Sequence, residues 1–215
     1  MPIKAIFYDF DGVIKDSTDI KSQAFYELYL PYGKEVADKV RQHHIVHGGM
    51  SRFEKFKHYH NNFLNKSISE EEVDSLANAF SQLVLKKVIE SDYVPGALES
   101  IKYGAQNYKQ FVVTGTPQSE IEFIVNKLNI APFFLELCGS PKKKIEHSKE
   151  LLNKYDLGFK EVLFVGDALT DYDCAQYFGF DFYLREHPEN VSLFKDKSIL
   201  KGPDLFPFLN YIQHL

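Results

Sequence analysis

Only two cysteines, Cys138 and Cys174, occur in 215 residues, and their spacing fits neither a redox pair nor a zinc motif. No disulfide framework is expected, and two reduced thiols point to a cytoplasmic protein. Long apolar runs are missing as well, since none approaches the roughly 20 residues that cross a bilayer. The first strand-like run, residues 3–8, meets Asp9 and Asp11 at once, too short and too soon charged for a secretory leader. The expectation is therefore a soluble protein with no membrane association. There is no basic excess: the formal net charge is −5. That disfavours a broad surface for nucleic-acid phosphates and leaves room only for a small basic pocket holding a small anion. Internal repeats and low-complexity segments are also lacking.

What is present suits one compact domain carrying a modest insertion, with 44% hydrophobic and 26% charged residues. The 19 Phe and 13 Tyr read as core packing. Apolar runs of strand length recur at residues 3–8, 111–113, 133–137, 162–165 and 180–184. Between the later runs lie helical patterns. Residues 117–128 put Ile121, Ile124, Val125 and Leu128 on one face, and residues 144–155 do so with Ile145, Leu151, Leu152 and Tyr155. Alternation of strand and helix predicts an α/β fold, a parallel sheet covered by helices. Residues 16–91 break the rhythm with consecutive helices and read as an inserted all-helical module, hinged on two linkers. The catalytic core is then residues 1–15 and 92–215, with Pro95 and Gly96 marking the return. Ser51 with Glu54 and Ser69 with Glu72 each have capping-box spacing. Residues beyond Arg185 read as a closing loop and a last helix through Leu205, Phe208 and Ile212.

Asp9 and Asp11 follow the first strand directly. Residues two apart in extended chain point to one side, and the carboxyl edge of an open α/β sheet is where ligands bind. Gly12 lets the chain turn away. Gly166, Asp167 and Asp171 repeat the arrangement after residues 162–165, with the second acid four residues after the first. Four carboxylates brought together repel unless protons or a cation neutralise them, and an all-oxygen set suits a hard ion, Mg²⁺, with calcium or manganese open on ligand type alone. Thr114 and Gly115 end a third strand before a helix and form a phosphate seat. Lys142, Lys143 and Lys144 lie at the same sheet edge, where at most one turns inward. In the module, Arg52 opens a helix and is a candidate for the substrate's anion. His43 and His47 share a helix face but lack a third metal ligand, so a packed or solvated pair is expected.

Taken in order, Asp9/Asp11, Thr114, a lysine of 142–144 and Asp167/Asp171 make the chain resemble the haloacid dehalogenase superfamily of hydrolases, in its phosphoglycolate-phosphatase-like branch. The resemblance implies a Rossmann-like core with an inserted helical cap and Mg²⁺-dependent hydrolysis of a small phosphorylated metabolite. It assigns Asp9 as nucleophile and Asp11 as acid and base. Thr114, Gly115 and Lys144, with Lys142 in reserve, would hold the phosphoryl group. Asp9, the Asp11 carbonyl and Asp167 would be metal ligands, with Asp171 behind them. A phosphomutase of the same fold and a non-catalytic phosphoacceptor are the rival readings.

Overall fold

A computed structural model describes residues 2–215. Six strands form one sheet: β1 (Ala5–Tyr8), β2 (Lys109–Pro117), β3 (Glu136–Ser140), β4 (Val162–Gly166), β5 (Asp181–Arg185) and β6 (Leu200–Gly202). Their spatial order is β3-β2-β1-β4-β5-β6, and every pairing is parallel. The chain runs outward from β1 through β2 to β3, then crosses back to lay β4 on the other side of β1. Such a reversal opens a crevice at the carboxyl ends of the central strands.

Strand alternation sorts the sheet into two cores. Ile6, Tyr8, Val112, Leu163 and Val165 pack on one face, together with Ile101 of α5 (Ala97–Asn107), Ile121 of α6 (Gln118–Lys127) and Phe208 of α10 (Phe206–Ile212). Ala5, Phe7, Phe111, Val113 and Phe164 pack on the other, against α7 (Lys144–Tyr155) and α8 (Leu169–Phe178). Phe7 sits centrally there, edge-to-face with Phe111, Phe164 and Phe180 at 5.3, 6.2 and 5.7 Å. Strands buried on both faces need apolar side chains at every position, which is why β1 and β4 read as unbroken runs.

Between β1 and α5 the chain forms four helices and no strand: α1 (Thr18–Tyr29), α2 (Lys34–Val46), α3 (Arg52–Phe63) and α4 (Glu70–Glu90). Their core is aromatic, with Phe25, Tyr29, Phe56, Tyr59 and Phe80 all buried. The two linkers run side by side, joined by an antiparallel bridge of Lys15 to Tyr93 and by the Asp16 amide donating to the Asp92 carbonyl at 3.0 Å. Among the described residues, no helix is long and apolar enough to cross a membrane.

Several boundaries differ from the sequence reading. The Ser69–Glu72 capping box forms. The Ser51–Glu54 box does not: the Ser51 hydroxyl is buried without a partner, and Glu54 is drawn 3.3 Å from Lys143 instead. Residues 133–137 were expected as a strand, but Ala131–Phe133 is a 3-10 turn with proline in its first turn, and β3 begins at Glu136, opposite Phe111. The strand expected at 111–113 continues to Pro117, with a register shift after Val113, so Thr114 and Gly115 belong to it. β6 was not expected at all. It is three residues long, two of them exposed, and an edge strand that short carries no periodic signal.

Candidate active site

Register alone brings the two acidic motifs together. Tyr8 lies opposite Val165 in β4 and Val112 in β2, so Asp9 is level with Gly166 and Val113, and Asp167 and Thr114 follow one residue further along the same sheet edge. Asp9, Asp167 and Asp171 are buried and offer carboxylate oxygens all within 4.8 Å of one another. The lysine that turns inward is Lys144. Its ammonium lies 3.1 Å from Asp9 and is also hydrogen-bonded to Asp171, while Lys142 folds back to Glu150. The other Asp171 oxygen accepts from the amides of Asp167 and Ala168 at 3.3 and 3.1 Å, pinning the start of α8. Asp171 was expected behind the ligands; both its oxygens are engaged, one by Lys144 and the other by backbone amides.

Burial dominates the electrostatics. It raises the Asp9 pKa, against the pull of Lys144 and with help from the charges of Asp167 and Asp11. Burial likewise lifts Asp171 to about 8 despite Lys144. Burial alone would discharge Lys144, but Asp171 and Asp9 outweigh it and raise its pKa, so the lysine stays an ammonium.

Asp11 departs from the expected four-acid cluster. Its carboxylate turns toward the helical insert, where Lys21 pairs with it, Ser17 donates at 2.7 Å and Thr116 at 2.8 Å. Burial would raise its pKa, yet Lys21 and these donors together leave it lowered. Ser17, Lys21 and Thr116 were not singled out from the sequence. The four-residue spacing of Ser17 and Lys21 at a helix start was the available signal.

Gly12 occupies φ +76°, and a Cβ there would overlap Asp167 Oδ2 and the Thr18 methyl. Gly12→Ala is therefore expected to cost about 2 kcal/mol or more. Urea unfolding of the two proteins measures it, and an unchanged midpoint would contradict the close approach. On the far side of Asp167, His187 Nε2 lies 3.0 Å from Oδ2, and the Asn190 amide donates 2.7 Å to the Asp167 carbonyl. Neither residue was anticipated, because both lie in the stretch read as a closing loop.

The acids open into a cavity of about 70 Å³, roofed by the insert. Its lining includes Thr114, Gly115, Lys21, Arg52, Lys55, His44, Phe25 and Phe80. Contact between roof and floor is close: a Cβ on Gly115 would strike the Gly49 carbonyl, and Thr170 donates 2.8 Å to the Gly48 carbonyl. Arg52, expected to meet substrate, lines the cavity, yet its guanidinium is spent on Glu120 of α6 at 2.8 and 2.7 Å and on Ser81 of α4 at 2.7 Å. His43 stacks with His47 and His58 at ring separations of 4.2 Å.

The cluster suits a hard divalent cation. Its donors are all carboxylate oxygens, and Asp9 Oδ1 is buried with no hydrogen-bond partner.

The family described as haloacid dehalogenase-like hydrolase matches residues 6–184 of the chain. No curated protein is a match. Among solved structures, a predicted phosphoglycolate phosphatase from Haemophilus somnus aligns with TM-score 0.73 at 20% identity, covering 97% of each chain. β-Phosphoglucomutase from Clostridium difficile aligns with TM-score 0.77 at 20% identity, covering 99% of this chain and 97% of that one. A protein described as HAD-hydrolase YfnB from Bacillus subtilis, bound to magnesium, aligns with TM-score 0.70 at 15% identity, covering 99% and 100%. At these identities the likeness is one of fold.

Proposed function

The chain belongs to the haloacid dehalogenase-like hydrolases, and on that premise we propose that it is a cytoplasmic, Mg²⁺-dependent phosphatase of small phosphorylated metabolites that forms an aspartyl phosphate on Asp9. The observation that carries this reading is Asp9 itself, a buried carboxylate with one oxygen on Lys144 and the other unpartnered, lining a cavity beside Thr114.

Asp9 would attack phosphorus, with the Thr114 hydroxyl, the Gly115 amide and the Lys144 ammonium binding the transferring phosphoryl oxygens. Lys144 also opposes the upward pull of burial on the Asp9 pKa. Asp9, the Asp11 carbonyl and Asp167 would hold Mg²⁺, with Asp171 steadying them; bound there, the ion neutralises charge between the carboxylate and its anionic target. Asp11 would protonate the leaving oxygen and later take a proton from the attacking water. Its lowered pKa and the Lys21 contact match the second task, so the first requires Lys21 to let go. Residues 16–91 would act as a cap over the core, closing on the leaving group, with Arg52 reaching substrate only by exchanging Glu120 for it.

A phosphate-release assay over a panel of phosphomonoesters tests the proposal. Activity should vanish in EDTA and return with Mg²⁺. Asp11→Asn should slow turnover by about 10² to 10⁴-fold. A phosphoprotein that merely accepts phosphate would show no turnover in the parent protein, and the Asp11→Asn variant would label as well as the parent. A mutase would release no phosphate until water replaced its second hydroxyl substrate.

A further inference from the structure

The two carboxylate oxygens of Asp167 are not equivalent. Oδ2 is enclosed: a Cβ on Gly12 would overlap it, and His187 Nε2 lies 3.0 Å from it. Facing an ionised carboxylate, that ring nitrogen donates. Oδ1 has no hydrogen-bond partner among the described residues, and Asp167 lines the catalytic cavity.

The imidazole is held firmly. The His187 amide donates to Asn190 Oδ1 at 2.9 Å, and the Asn190 side-chain amide donates to the carbonyls of Asp167 and Arg185 at 2.7 and 2.9 Å. One buried asparagine therefore fixes both the turn that carries the ring and the backbone of the acid that receives it. Packing does not account for a histidine here. Its Nδ1 is buried without a partner, a cost that leucine would avoid.

The other two acids have little left to offer a cation. Asp171 spends one oxygen on Lys144 and the other on the amides of Asp167 and Ala168, while Asp9 spends Oδ2 on Lys144. What remains is Asp9 Oδ1 and Asp167 Oδ1, one oxygen from each. Single oxygens suit Mg²⁺, which is held by one or two carboxylates in a strict octahedron and keeps several waters. Ca²⁺ gathers roughly six to eight oxygens at longer range, in part by taking both oxygens of a carboxylate. His187 denies it the second oxygen of Asp167.

We propose that His187 is a positioning residue that sets the cation selectivity of this site: by holding Asp167 Oδ2 it keeps Asp167 a one-oxygen ligand, and so favours Mg²⁺ over Ca²⁺. This rests on the metal seat of the reading above and is tested by cation binding, apart from turnover.

Calorimetric titration of the substrate-free protein with MgCl₂ and with CaCl₂ gives the two affinities. His187→Leu should weaken Mg²⁺ binding by about 10- to 100-fold. Ca²⁺ binding should stay within about threefold of the parent, because the freed oxygen serves the larger ion. His187→Gln, whose side-chain amide reaches the same oxygen, should stay within about threefold of the parent for both ions, whereas His187→Asn, shorter by one methylene, should behave as the leucine variant does. The Gln and Asn variants decide the matter even if His187→Leu fails to fold. Equal weakening of both ions, as a general loosening of the turn would produce, overturns the proposal, and so does an unchanged ratio of the two affinities. Either result leaves the metal seat standing. A parent protein that binds neither cation removes the seat, and this role of His187 with it.

Discussion

Asp9→Asn is expected to lower phosphate release by about 10⁴-fold or more, because the amide cannot attack phosphorus and the neighbouring carboxylates are engaged, Asp167 by His187 and Asp171 by Lys144. Thr114 offers a hydroxyl on the same cavity wall, and among the described residues no imidazole is hydrogen-bonded to it to take its proton; its oxygen instead accepts from the Thr116 amide at 3.3 Å. The change is nearly isosteric, so folding should survive. It also removes one negative charge from a site where burial and two neighbouring acids already resist ionisation. A rapid-quench measurement should find an acid-stable, hydroxylamine-sensitive phosphoprotein in the parent and none in the variant. Residual activity within tenfold of the parent would falsify covalent catalysis by Asp9.

The second large effect concerns stability. Lys144 is the ammonium between Asp9 and Asp171, at 6% exposure. Lys144→Met leaves three buried carboxylates facing one another with no ammonium among them. Removing one partner of a buried ion pair costs about 3–5 kcal/mol. The pH dependence has a definite sign. Burial already raises Asp171 to about 8, and losing the lysine that opposes this moves it higher. A carboxyl whose folded pKa exceeds its unfolded value near 4 binds more protons folded than unfolded between those limits, so stability falls as pH rises through that window. The parent shares this fall up to its own folded pKa of about 8, so the gap between the two opens only above it: the variant should lie closest to the parent near pH 6 and furthest from it at pH 9. Mg²⁺ should narrow the gap at pH 9, since a cation bound only by the folded protein stabilises it by mass action. Denaturant titrations at the two pH values, with and without Mg²⁺, give the comparison. A deficit independent of both pH and metal would reduce Lys144 to a packing residue.

How much of this could be read along the chain depended on whether neighbours in sequence were neighbours in space. Asp9 and Asp167 each follow a run of buried apolar residues, and a parallel sheet needs no further information to set such strand ends beside each other. Helix α7 carries its apolar face at helical spacing, and the structure has it at Lys144–Tyr155, the span expected. The clamp on Asp11 is a different case. Ser17 comes from the turn before α1, Thr116 from β2 and Lys21 from the first turn of α1, and only the packed fold unites them. The same holds for His187 and Asn190, which look like ordinary polar residues of a loop until the turn beyond β5 packs against Asp167. Proline accounts for the late start of β3. The Ser51 cap failed because its acid, Glu54, found Lys143 of the core rather than its own backbone.

His187 and Asn190 lie just beyond β5, outside the stretch matched by the family, yet both are hydrogen-bonded to Asp167. Shortening the protein at the end of that strand would spare every acid named above and still undo one wall of the proposed metal seat. A reporter spliced between residues 186 and 191 would be felt by the chemistry, whereas one joined at exposed Leu215 would go unnoticed.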